Sequence, residues 1–149
     1  MKQLIEVFEE METLEIVNMA NCINPYKPHS GLRYLIKALI TNKKTLQYVD
    51  ISGNTWNKDI EVVEQIQVML QTCLVMKSLN ISCLGITKKG CQMIIKTFLD
   101  CANNVWGLDC NLKQLIWNKD LRCSPKTALD FAEKKLPNIY NLKLKHISL

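Results

Sequence analysis

The sequence predicts an α/β chain of stacked repeats, on two observations. A strand-like phrase with apolar residues in its first, fourth and sixth places recurs five times, at Leu14–Met19, Leu46–Ile51, Met76–Ile81, Leu112–Trp117 and Ile139–Leu144. Between the phrases the apolar spacing changes to the three-and-four pattern of an amphipathic helix. Together these are the signature of a leucine-rich repeat solenoid, in which each strand–helix unit buries its apolar face on its neighbours. Parallel strands joined by such crossovers wind as a right-handed crescent. The phrases begin at 14, 46, 76, 112 and 139, giving spacings of 32, 30, 36 and 27. Most exceed the usual repeat of about 20 to 29 residues. The surplus is placed in loops, chiefly insertions at 23–31 and 102–111.

Within each phrase the fourth and sixth residues share one face, because side chains alternate along a strand. Val17 with Met19, Val49 with Ile51, Leu79 with Ile81, Leu115 with Trp117 and Leu142 with Leu144 are the predicted core contributors. The opposite face lines a concave shelf: Ile16, Asn18 and Ala20, then Tyr48, Asp50 and Ser52, then Ser78, Asn80 and Ser82. Gln114, Ile116 and Asn118 continue it, and Asn141, Lys143 and Lys145 end it.

The helices follow from their stripes. Leu4, Ile5, Phe8 and Met11 open the chain on a helix; Leu32, Leu35, Ile36, Leu39 and Ile40 form a second. Val63, Ile66, Met69, Leu70 and Cys73 form a third, and Cys91, Ile94, Ile95, Phe98 and Leu99 a fourth. Thr87 is the predicted N-cap of the fourth. Ser124-Pro125 reads as a cap with proline at the first helical position, opening a helix through Ala128, Phe131 and Ala132 that Pro137 ends. The whole of 1–149 is read as a single domain of about five repeats, a segment of a longer array, since a bare helix at one end and a bare strand at the other leave faces that neighbouring repeats cover.

Composition narrows the function classes. Hydrophobic residues make up 48% and charged ones 22%, as in an ordinary globular domain, and no apolar run is long enough to span a bilayer, so no membrane partner is expected. Seven cysteines, an odd number without a C-x-x-C, fit a reducing compartment, and we expect a cytoplasmic protein. The net charge of +5 rests almost wholly on lysine, with Arg33 and Arg122 the two arginines. Phosphate recognition favours arginine's planar fork, so the excess reads as a solvated surface and argues against nucleic acid. His29 and His146 stand isolated, and the glycines make no phosphate-cradling loop. No catalytic constellation, metal site or cofactor is expected. Trp56 and Trp117 read as core anchors, Trp106 as part of an insertion, and the Asn80-Ile-Ser82 sequon as chance within a strand.

Several non-consensus residues then carry a resemblance. Leu14 through Ile23, the connection from Ile23-Asn24-Pro25 to His29-Ser30-Gly31, the helix to Asn42, and Leu46-Gln-Tyr-Val-Asp-Ile-Ser-Gly-Asn-Thr-Trp56 resemble consecutive repeats of the Ran GTPase-activating protein family. Met76 to Cys91, with Lys89-Gly90 as a turn before the helix, resembles a merger of the next two, and the likeness covers residues 8–118. It implies ribonuclease-inhibitor-type repeats that bind the small GTPase Ran and stimulate GTP hydrolysis through Ran's own machinery. The family's critical residues lie mainly in N-terminal repeats that are not matched here, so none is carried over. The chain also lacks the family's acidic tail, and it is basic where a Ran-facing surface is expected to be acidic.

The expectation is thus a non-enzymatic protein-binding scaffold whose implied partner is Ran. Its contact candidates are Tyr48, Asp50, Ser78, Asn80, Gln114 and Asn118, with an aromatic beside short polar groups at the centre. The alternatives are a non-catalytic repeat adapter and the repeat segment of an intracellular immune sensor, whose repeats also place Gly-Cys before the helix, as in Gly90-Cys91. Uneven spacing counts against the sensor.

Overall fold

A computed structural model describes residues 2–23, 31–54, 60–102, 112, 114–116 and 147–148. In chain order the elements are α1 (Lys2–Glu10), β1 (Ile16–Asn18), α2 (Leu32–Ile40), β2 (Tyr48–Asp50), α3 (Ile60–Thr72), β3 (Ser78–Asn80), α4 (Lys88–Ala102), β4 (Gln114–Ile116) and β5 (Ile147–Ser148). The strands form one parallel sheet in the order β1-β2-β3-β4, with the two-residue β5 beyond β4. The helices pack in sequence, α1 on α2, α2 on α3 and α3 on α4. The protein is therefore an α/β structure with a parallel sheet and an adjoining helix layer.

Alternation explains why the layers meet on one side. The middle residues of the first four strands, Val17, Val49, Leu79 and Leu115, are buried, and they join a single core with the helix stripes. Leu32, Leu35, Ile36 and Leu39 of α2, Val63, Ile66, Met69 and Leu70 of α3, and Cys91, Ile94, Ile95, Phe98 and Leu99 of α4 are all buried, as their spacing requires. Val62 joins them, widening the α3 stripe. Phe8 and Leu14 reach the core only in part, while Met11, expected in the first stripe, lies past the end of α1 and is 40% exposed.

Register carries the repeat. Val17 pairs with Val49, Val49 with Leu79, and Leu79 with Leu115, so the fourth place of each phrase meets the fourth place of the next. The next partner is Ile147. That corrects the last phrase. The strand that pairs with β4 is Ile147–Ser148, and the sequence phrase with Ile147 in its fourth place is Leu144-Lys-His-Ile-Ser-Leu149, while Ile139–Leu144 lies outside the described residues. The last spacing becomes 32 in place of 27, in keeping with the others. Both segments fit the apolar pattern and share Leu144; which peptide groups meet the edge of β4 is a non-local matter that the pattern does not encode.

One further correction is local. Thr87 caps α4 as expected, its Oγ1 accepting a hydrogen bond from the Gly90 N–H at 3.3 Å. Lys89-Gly90 is therefore in the first turn of α4 and not a turn before it. A Cβ on Gly90 would lie 2.8 Å from methyl carbons of both Ile86 and Val63, so glycine here sets how closely α4 approaches α3. The expected helix from Ser124, residues 24–30 and 103–111 of the two insertions, all three tryptophans, both histidines and the shelf positions Asn118, Asn141, Lys143 and Lys145 lie outside the described residues.

Candidate functional site

Among the described residues, no element covers the side of the sheet away from the helices. Each strand directs the residues flanking its buried centre toward that side, and the parallel register stacks them into rows roughly 4.8 Å apart. One row runs Ile16, Tyr48, Ser78 and Gln114; another runs Asn18, Asp50, Asn80 and Ile116. Ile16 is 69% and Tyr48 42% exposed, an apolar pair side by side on adjacent strands. The sequence-predicted Tyr48, Asp50, Ser78 and Asn80 are thus brought together on one surface, and Gln114 holds its place by register.

The second row is a hydrogen-bonded device. Asn18 Oδ1 accepts from the Ala20 N–H, Asp50 Oδ1 from the Ser52 N–H, and Asn80 Oδ1 from the Ser82 N–H, at 3.1, 2.9 and 3.1 Å. These are Asx turns, in which a short polar side chain satisfies the backbone two residues on. The Asn80 amide also donates to Asp50 Oδ2 at 2.9 Å, tying the rungs across strands. Asp50 and Asn80 are accordingly half-buried and engaged, which leaves Ile16 and Tyr48 as the exposed large apolar side chains of the rows. The same bonds occupy the sequon: Asn80 is held by Asp50 and Ser82 is buried.

Each Asx turn leads into a left-handed residue at the same register, Asn21, Gly53 and Cys83, with φ of 55°, 68° and 57°. Gly53 has a second reason to lack a side chain, since a Cβ would sit 2.0 Å from Oδ1 of Asn21 on the neighbouring turn. Gly53→Ala should lower stability by about 1–3 kcal/mol through left-handed strain and overpacking. Adding Asn21→Gly to that variant should restore the steric part, read as partial recovery of the midpoint in urea unfolding.

A polar rail borders the rows on their N-terminal side. Gln47 donates through Nε2 to Glu15 Oε2 at 3.3 Å and accepts at Oε1 from Lys77 Nζ at 2.6 Å. An amide fits between an anion and a cation because it carries one donor end and one acceptor end. Lys77 Nζ also lies 5.6 Å from the centre of the Tyr48 ring, within cation–π range. The rail runs from negative to positive across three strands with Tyr48 beside its centre.

Two buried asparagines, which the strand and helix patterns miss, hold successive units together. Asn42 accepts the Leu14 N–H at 3.1 Å and donates to the Phe8 carbonyl at 3.3 Å. Asn54 accepts the Ile23 N–H at 2.9 Å and donates to the Met19 and Ile51 carbonyls at 2.8 and 2.7 Å. They fasten the chain before and after β1 to the unit of β2.

Among the described residues, no group of three or more His, Cys, Asp or Glu is placed to hold a metal ion, and no helix is long and apolar enough to cross a membrane. Burial pushes the Cys73 thiol up to about 11, partly offset by a hydrogen bond with Thr72 and the charge of Lys43, so it stays a neutral thiol near neutral pH. On the outer surface of the helix layer, Arg33, Tyr34 and Lys37 of α2 face Glu61, Glu64 and Gln65 of α3 across a shallow cleft. Arg33 is ion-paired with Glu61 there and lies 4.5 Å from the centre of the Tyr34 ring, so the cleft's charges are largely matched from within. Such exposed pairs contribute about 0–1 kcal/mol.

The fold and this surface define a class, an α/β protein with in-register parallel strands and an open sheet face. No family model matches the chain, and comparison with curated proteins finds no relative.

Proposed function

We propose that the protein is a leucine-rich repeat scaffold, a right-handed solenoid segment that binds a protein partner on its open strand face and is not itself an enzyme. The observation that carries this reading is the pairing of Ile16 and Tyr48, apolar and outward in register, beside the satisfied Asx row and the Glu15–Gln47–Lys77 rail. A flat surface whose polar groups already bond one another loses little on desolvation, and an aromatic at its centre supplies a contact anchor. The resemblance to the Ran GTPase-activating protein family makes Ran the partner to test. Activation of hydrolysis would belong to repeats other than those matched here, because rate enhancement needs groups held within about 0.5 Å of their working geometry.

Titration of the chain with Ran carrying a non-hydrolysable GTP analogue tests the partner. We expect weak binding that Tyr48→Ala reduces by roughly 10- to 30-fold, the scale of one contact anchor. Tyr48→Ala should leave the fold intact because the ring points away from the core, whereas Asp50→Ala also removes the acceptor for the Ser52 N–H and is the poorer probe. Single-turnover hydrolysis should show no acceleration by this chain alone. Binding of another protein through Tyr48, with none to Ran, would make it a non-catalytic adapter.

A further inference from the structure

The strand face carries charge of both signs in fixed places, and that polarity narrows what can lie on it. Glu15, Gln47 and Lys77 each stand one residue before β1, β2 and β3, and their backbones are bonded in that order. The carboxylate thus marks the first strand and the ammonium the third. Gln47 bonds to both but is neutral, so it cancels neither formal charge. Each end keeps bonding capacity, because a carboxylate has several acceptor sites and an ammonium more than one donor. Glu15 is exposed, and Lys77 is half-buried with its Nζ 5.6 Å from the centre of the Tyr48 ring. Ile16 and Tyr48 follow Glu15 and Gln47 directly in sequence, so the exposed apolar pair lies alongside the negative half of the rail. Asp50, the charged member of the two rows, already accepts from the Ser52 N–H and the Asn80 amide, and the rail is left to supply the polarity.

Spacing selects the shape of the occupant. Two strand steps of about 4.8 Å separate the ends of the rail, roughly 10 Å in all. An α-helix lying across the strands puts residues i and i+7 on one face about 10.5 Å apart, with i+3 and i+4 between them. An extended chain presents same-face residues about 6.8 or 13.5 Å apart and misses by about 3 Å either way.

We propose that the protein partner meets the strand face with a helix laid across β1, β2 and β3. It carries a basic residue over Glu15, an acidic residue seven positions away over Lys77, and large apolar side chains between them against Ile16 and Tyr48. This rests on the strand-face reading and adds the partner's shape and polarity to it.

Lactam-bridged, alanine-rich helical peptides of about sixteen residues, long enough to hold a helix, test it. One has Lys and Glu seven positions apart with Leu and Phe between them on the same face; the others have Lys at both charged positions, or Glu at both. Affinity for the full chain is read by fluorescence anisotropy at about 50 mM salt, where screening is weak. We expect the mixed-charge peptide to bind roughly 3- to 10-fold tighter than either like-charged one, the scale of an exposed ion pair gained and a like-charge contact removed. Moving its Glu to the fifth position after Lys takes the charge off the face and should cost as much. Lys77→Glu should melt close to the parent by circular dichroism and should reverse the order, favouring the peptide with Lys at both positions. The chain's net +5 by itself favours the peptide with Glu at both, so an order that follows net charge overturns the proposal. An order that Lys77→Glu leaves unchanged overturns it too. Equal affinity for all three peptides, each weakened by Tyr48→Ala, overturns the polarity and keeps the strand-face reading. Binding that Tyr48→Ala does not touch overturns both. No binding of any peptide overturns the helical occupant, and the Ran titration then decides the strand-face reading by itself.

Discussion

Phe98→Ala should remove about 3–5 kcal/mol of folding stability, the largest loss expected from a single truncation among the described residues. Among the described residues Phe98 is the largest fully buried side chain, on the face of α4 that meets the common core. Its removal forfeits the transfer of an aromatic ring out of water and leaves a cavity that α3 and α4 close only in part. Gly90 already lets the two helices lie so close that a Cβ there would be 2.8 Å from a Val63 methyl, which leaves little room for further approach. Against the 5–15 kcal/mol of a typical domain, such a loss takes the protein close to its unfolding threshold. Urea unfolding checks it: the midpoint should fall steeply with the slope unchanged. A loss below about 1 kcal/mol would show that α4 does not pack as described, since a fully buried ring cannot be removed so cheaply.

Asn54→Ala should cost about 2–4 kcal/mol although it deletes no apolar contact. Three backbone groups, the Ile23 N–H and the carbonyls of Met19 and Ile51, take their side-chain hydrogen bond from this residue in the interior. Leaving a buried donor or acceptor unsatisfied costs about 1–3 kcal/mol each, and partial relaxation toward solvent keeps the sum below the full total. Hydrogen exchange separates this mechanism from a packing loss. The Ile23 amide should lose its protection first, while amides in α4 should change only as global stability does. Asn54→Asp keeps the acceptor for Ile23 but gives up both donors and buries a charge, so it should be no less damaging than alanine. If the Ile23 amide were as protected in the alanine variant as in the parent, the bond to Asn54 would not be what holds that turn.

Asn54 also shows what kind of signal a sequence carries and where it is overlooked. It stands in the ninth place of the phrase that begins at Leu46, where the leucine-rich repeat consensus has asparagine or cysteine. Cys22 is in that place in the preceding phrase, and Leu84 in the following one. A reading confined to apolar periodicity passes over such a residue because its role is to satisfy backbone groups far along the chain. Asn42 has no comparable signal, since its partners at Phe8 and Leu14 are brought near only by the packing of α1 on α2. The candidate surface divides in the same way. That Tyr48 and Ile16 point away from the core follows from alternation; that Asp50 and Asn80 are bonded to each other, and so half withdrawn from contact, depends on their strands lying in register.

The sequence by itself determined the local terms: which residues of each three-residue strand face inward, where α2, α3 and α4 lie, and that Thr87 opens the last of these. Such features depend on the period of apolar residues and on side chains that bond their own neighbours, interactions within a few positions of one another. Only the tertiary structure decided that Ile147, and not Leu142, pairs with Leu115, that Gly53 must leave room for Asn21, and that Glu15, Gln47 and Lys77 join into one rail. Each of these joins residues about thirty positions apart. The apolar pattern admits two strands at the end of the chain equally well, and the choice between them belongs to the edge of β4, where hydrogen bonds are made by peptide groups that every residue carries alike.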